Sequence, residues 1–133
     1  MRRSVLKERD VANGVNIGLI STVARYALDH GYHVIVEGIL YAERYAAMLS
    51  ELAEDHRGVS GFYYLDVSFA ESLRRHATRP QAAEFGAEWM RGWYRHRDLL
   101  DVPGEQVIPE TSTLQDTTAR ILGEVFSHHA ARC

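Results

Sequence analysis

Three short apolar runs fix what this chain can fold into. They are His33-Val34-Ile35-Val36-Glu37, Phe62-Tyr63-Tyr64-Leu65-Asp66-Val67 and Gln106-Val107-Ile108. Each is too short for a helix and rich in β-branched or aromatic residues, which suits a buried strand. Between them lie stretches of helical period. Ile17, Ile20, Val23, Ala24, Ala27 and Leu28 mark one over 15–30, which Gly31 stops. Tyr41, Tyr45, Met48, Leu49 and Leu52 mark a second over 41–56. Ser68-Phe69-Ala70-Glu71 has the capping-box spacing that opens a third, due to end before Arg79 because Pro80 follows. Residues 84–97, with Trp89, Trp93 and Arg97 four apart, and a last amphipathic stretch from Thr113 to about His128 complete the pattern, after a short charged helix over 2–10. Strands separated by helices give parallel β-α-β units, so the expected class is α/β, a parallel sheet with flanking helices.

Length and composition allow such a core. The chain has 133 residues, 46% hydrophobic and 25% charged, which fits one folded domain rather than a disordered segment. Lys and Arg total 15 against 18 Asp and Glu, a net charge of −3, so no global basic field exists to hold nucleic acid. No apolar run approaches the ~18 residues of a membrane helix, and Met1-Arg2-Arg3 is followed by acids rather than by a signal-peptide core. With one cysteine, Cys133, no intrachain disulfide forms, and the chain reads as cytoplasmic.

In parallel α/β sheets ligands bind beyond the carboxyl ends of the strands. Glu37-Gly38, Asp66-Val67-Ser68 and Pro109-Glu110-Thr111 therefore matter most. Glu37 either faces a substrate hydroxyl, a cation or a cationic group, or is a strand-end acid that is solvated or caps the next helix. Asp66 has the same choice, weighted toward the second by the polar turn it begins. Arg74, Arg75 and Arg79 fall within six residues at a helix end. Guanidinium groups suit bidentate phosphate binding, but taken by themselves the residues favour a solvated basic helix end that complements the helix dipole. The Trp89, Met90, Trp93, Tyr94 group reads as packing. His128, His129 and Cys133 match no zinc spacing, and no metal site is expected. Neither G-x-x-x-x-G-K-[ST] nor G-x-G-x-x-G occurs.

Leu6-Lys7-Glu8-Arg9-Asp10, Val34-Ile35-Val36-Glu37-Gly38-Ile39-Leu40, Tyr63-Tyr64-Leu65-Asp66-Val67-Ser68, Arg74-Arg75-His76-Ala77-Thr78-Arg79-Pro80 and Trp93-Tyr94 leading to Asp98-Leu99-Leu100 together resemble the small P-loop kinases of the zeta-toxin and chloramphenicol-phosphotransferase type. The resemblance implies an adenylate-kinase-like core spanning 1–133 as a single domain, with a lid at about 74–97. In it Arg75 and Arg79, with Arg74, would contact nucleotide phosphates or stack on adenine. Arg2, Arg3, Glu37 and Tyr41 would face the phosphoryl acceptor. ATP and Mg²⁺ would serve the full-length protein. The family's glycine-rich loop, its lysine and its Mg²⁺-binding Ser/Thr have no counterpart here, so neither is expected to bind this chain well. The expectation is thus the C-terminal part of an ATP-dependent kinase acting on a hydroxyl of a small molecule, truncated at its N-terminus and inactive as it stands. The alternative is a non-catalytic binding or interaction domain derived from such a kinase. Strand edges left without partners lead us to expect self-association.

Overall fold

A computed structural model describes residues 12–126. The expected helix over 2–10 and the tail with His128, His129 and Cys133 lie outside the described residues, as do Arg2 and Arg3. The class is mixed α/β: five helices and a two-stranded parallel sheet among the described residues. Two compact units divide the chain at residue 58.

The first unit is built on α1 (Val15–Asp29) and α2 (Ala42–Asp55). Asn13 and Gly14 both take left-handed backbone angles, which separates α1 from the short 3-10 turn before it. At its other end Gly31 has φ +81°, and Tyr32 N–H and Gly31 N–H reach back to the carbonyls of Ala27 and Leu28 at 3.0 Å each. These two bonds close a Schellman cap, so the glycine stop read from the sequence is the one that forms. Ala24 of α1 and Tyr45 and Leu49 of α2 are the buried hydrophobic residues of this unit among the described residues. Two contacts fix the direction of the helices. Asn16 Nδ2 donates to Tyr45 Oη at 3.0 Å near the start of both, and Arg25 Nη1 meets Asp55 Oδ2 at 2.7 Å near the end of both. The helices are therefore parallel, and the chain between them must travel back along their length.

The strand expected at 33–37 lies in that return, and no ladder forms there. The residues favour a strand, but a strand is completed only by a neighbour that takes its backbone hydrogen bonds, and no described residue does so.

The second unit holds the sheet. β1 (Tyr63–Asp66) and β2 (Gln106–Pro109) are parallel, with Tyr63 opposite Gln106 and Asp66 opposite Pro109. α3 (Phe69–Ala77), a 3-10 turn at Pro80–Ala83 and α4 (Ala87–Trp93) make the crossover, and α5 (Leu114–Phe126) follows β2. The helix expected over 84–97 shrinks to α4. Gly86 begins it in an extended conformation, and Tyr94 ends it in another. Pro109 is the last strand residue, where the absent N–H interrupts no further ladder. Ile108, 3% exposed, is the buried hydrophobic residue of this unit among the described residues.

α5 runs back along the sheet. Glu124 near its end accepts hydrogen bonds from Tyr63 Oη at 2.7 Å and Gln106 Nε2 at 2.6 Å, the first residues of the two strands, and pairs with Arg120 at 3.1 Å. Burial first, and then the Glu124 carboxylate, push the Tyr63 phenol up to about 12. The Glu124 carboxyl is held below the usual carboxylate range, first by the Tyr63 hydrogen bond.

Candidate functional site

The carboxyl ends of β1 and β2 gather polar side chains. Ser68 is the N-cap of α3: its Oγ accepts from Glu71 N–H at 3.3 Å. That is one half of the capping box the sequence suggests; the other half does not form, because the Ser68 N–H goes to Glu110 and the Glu71 carboxylate to Arg74 and Arg75. The same residue donates twice to Glu110 Oε2, from its backbone N at 3.0 Å and from Oγ at 2.9 Å. Glu110 follows β2 directly, so one carboxylate ties the exits of both strands together. Asp66, the last residue of β1, pairs with Arg97 at 2.8 Å. Arg97 has φ +48°, a left-handed turn that brings its chain back toward the strand end.

The basic end of α3 hangs over the same edge. Glu71 Oε2 accepts from Arg74 Nε at 2.7 Å, and Oε1 accepts from Arg74 Nη2 at 2.6 Å and Arg75 Nε at 2.8 Å. These two guanidinium groups, Arg74 first, hold the Glu71 carboxyl at about 2. The Arg74 guanidinium is in turn held above its ordinary value by Glu71. Arg75 uses another donor, Nη2, on the backbone carbonyl of Glu110 at 2.8 Å. Arg79 lies one turn beyond Arg75 and is exposed, and among the described residues its guanidinium has no hydrogen-bond or ion-pair partner.

Aromatic packing carries this edge. Phe69 and Tyr94 lie with ring centroids 5.4 Å apart, and Tyr94 Oη donates to the Val67 carbonyl at 2.9 Å. Burial raises the Tyr94 phenol, helped by Tyr64, Asp66 and Glu110. His76 stacks on Phe85 at 4.3 Å, Phe85 meets Trp93 edge-on at 5.1 Å, and Trp93 meets Trp89 at 6.0 Å. The aromatic group of α4 is thus a packing element, as its spacing suggested.

The residues singled out from the sequence fall in two places. Arg74, Arg75 and Arg79 belong to the second unit, with the two arginines of α3 side by side on Glu71. Glu37 and Tyr41 belong to the first unit. Glu37 is exposed in the return between α1 and α2, and Tyr41 is the N-cap of α2. Glu71 and Arg97 were missed by the sequence reading. Glu71 had a signal, since it stands three and four residues before Arg74 and Arg75. Arg97 had none: its partner Asp66 is 31 residues away.

This edge carries guanidinium groups among the carboxylates of Asp66, Glu71 and Glu110. Arg74 and Arg75 are engaged by Glu71, Arg75 is also held on the carbonyl of Glu110 just after β2, and the exposed Arg79 follows the helix end. Among the described residues no cluster of three or more His, Cys, Asp or Glu side chains is placed to hold a metal ion. Comparison with protein-family models, with curated proteins and with solved structures finds no match for this chain. Among the described residues no helix is long and apolar enough to cross a membrane.

Proposed function

We propose that the chain is the C-terminal part of an ATP-dependent kinase that phosphorylates a hydroxyl of a small molecule, with an adenylate-kinase-like core and a lid at about 74–97. The observation that carries this reading is the Arg75 guanidinium bonded at 2.8 Å to the carbonyl of Glu110. It sets the basic end of α3 at the carboxyl edge of a parallel sheet, where ligands of α/β proteins bind. Arg79, with its exposed guanidinium, is the residue best disposed to meet a phosphate. Arg74 and Arg75 are already bonded to Glu71, so a phosphate would compete with that carboxylate for them.

The residues fit a nucleotide only in part. Donors for phosphate oxygens are present, whereas the sequence has no glycine-rich cradle and the described residues hold no metal-binding set. No transfer step is therefore assigned to this chain's own side chains. A second reading, a non-catalytic binding domain, draws on one fact: Glu71 engages both Arg74 and Arg75, which is what a structural role requires.

The test begins with the DNA upstream of the Met1 codon. An in-frame G-x-x-x-x-G-K-[ST] about 20–40 codons away supports the kinase. In a protein extended through it, Arg75→Ala and Arg79→Ala should each lower kcat/KM for ATP by about 10–1000-fold. A neutral effect at both positions refutes the lid and favours the binding domain.

A further inference from the structure

The helices of the first unit run parallel, so their C-termini lie together, and a helix C-terminus carries the negative end of the dipole. Each of the two ends on an acid, Asp29 in α1 and Asp55 in α2, and neither has a basic residue in its last turn. Residues of both ends line a cavity of about 310 Å³, at the small end of the range for small-molecule sites. Leu28 and Leu52, both half-buried, give it an apolar lining. Its charged lining has two parts. Arg25 is fixed twice, by Nε on Ser21 Oγ at 3.2 Å and by Nη1 on Asp55 Oδ2 at 2.7 Å. Among the described residues this leaves Arg25 Nη2 an open donor and Asp55 Oδ1 an open acceptor. Asp29 and Arg57 line the same cavity, are exposed, and pair neither with each other nor with any other described residue.

This lining selects a guest by charge. A simple anion would meet two aspartates and two converging helix C-termini, and a simple cation would meet two guanidinium groups. A molecule that carries both charges meets each with its opposite. Its carboxylate takes donors from Arg57 and Arg25 Nη2. Its ammonium takes acceptors from Asp29 and Asp55 Oδ1, where the helix dipoles also favour positive charge. The two leucines remain for an aliphatic side chain, whose burial against them is favourable. We propose that this cavity is a binding site for a free α-amino acid with an aliphatic side chain. The site lies wholly within the first unit and does not rest on the kinase reading.

Titration of the isotope-labelled full chain with L-leucine, followed by NMR, tests it. Amide signals from residues 25–29 and 52–57 should shift at millimolar leucine, while those of the second unit stay in place. L-leucinamide, which lacks the carboxylate, and N-acetyl-L-leucine, which lacks the ammonium, should each bind at least about 10-fold more weakly. Arg57→Ala and Asp29→Asn should each weaken leucine itself at least about 10-fold. The helical circular dichroism should stay unchanged in both variants, because neither side chain bonds a described residue. No shift with leucine at millimolar concentration overturns the proposal, and so do shifts confined to other residues. Equal binding of leucinamide or of N-acetyl-leucine overturns it as well, as does leucine binding indifferent to either substitution.

Discussion

Tyr45→Phe probes whether the buried polar contact between Asn16 of α1 and Tyr45 of α2 supports the first unit. Asn16 is 7% exposed and Tyr45 4%, and the amide Nδ2 donates to the phenol at 3.0 Å. The other end of the amide, Oδ1, accepts from no group among the described residues. Deleting the hydroxyl therefore leaves Asn16 with neither polar atom satisfied, at a cost of about 1–3 kcal/mol, the penalty for a buried group stripped of its partner. Asn16→Leu has nearly the same shape and removes the amide whole. Combined with Tyr45→Phe it leaves nothing polar buried at this contact. The double variant should then lie within about 0.5 kcal/mol of the parent, or above it. The coupling between the two changes should be about 1–2 kcal/mol. Urea unfolding followed by far-ultraviolet circular dichroism on the parent, the two single variants and the double measures all four corners. A neutral Tyr45→Phe, with a double variant equal to the sum of the singles, would refute the reasoning: the amide would then be finding another partner.

Three further outcomes are expected. Ile108→Ala, at a position 3% exposed in β2, should destabilise the second unit by about 2–4 kcal/mol, read from the fluorescence of Trp89 and Trp93 during denaturation. The Glu71 carboxyl is lowered from 4.5 to about 2, so its contribution is complete above pH 4.5 and is lost as pH falls through about 2. Glu71→Gln should flatten the acid limb of the stability profile, and a carboxyl carbon titration by NMR should place Glu71 well below the other glutamates. The Tyr63 phenol is raised from 10.0 to about 12, so its contribution is complete below pH 10 and fades as pH rises through about 12. Tyr63→Phe should remove that alkaline loss, and the step near pH 12 in the phenolate absorbance should vanish with it.

Much of the architecture was legible because local chemistry decides it. The Ser68 N-cap, the Gly31 stop and the Pro80 limit on α3 act within a few residues of the chain, and each stands where its residues predict. The apolar periods of α1, α2 and α5 likewise need only neighbours three and four positions away. The carboxyl edge of the sheet was legible as three segments, and two of them, Asp66–Ser68 and Pro109–Thr111, do come together, because parallel strands in register bring their exits side by side.

What the sequence could not decide was partnership. Residues 33–37 have every local mark of a strand, but a ladder needs a second backbone at hydrogen-bonding distance, and no local pattern reveals whether one arrives. The two arginines of α3 read as a solvated helix end or as phosphate ligands, and only the fold showed both bound to Glu71 and one braced on the Glu110 carbonyl, 35 residues away. The Asp66–Arg97 pair and the orphaned carbonyl of Asn16 belong to the same class. Periodicity, caps and breakers are properties of adjacent residues, so the sequence determines them. Which donor meets which acceptor across thirty residues depends on where the elements pack, and only the tertiary structure decides that.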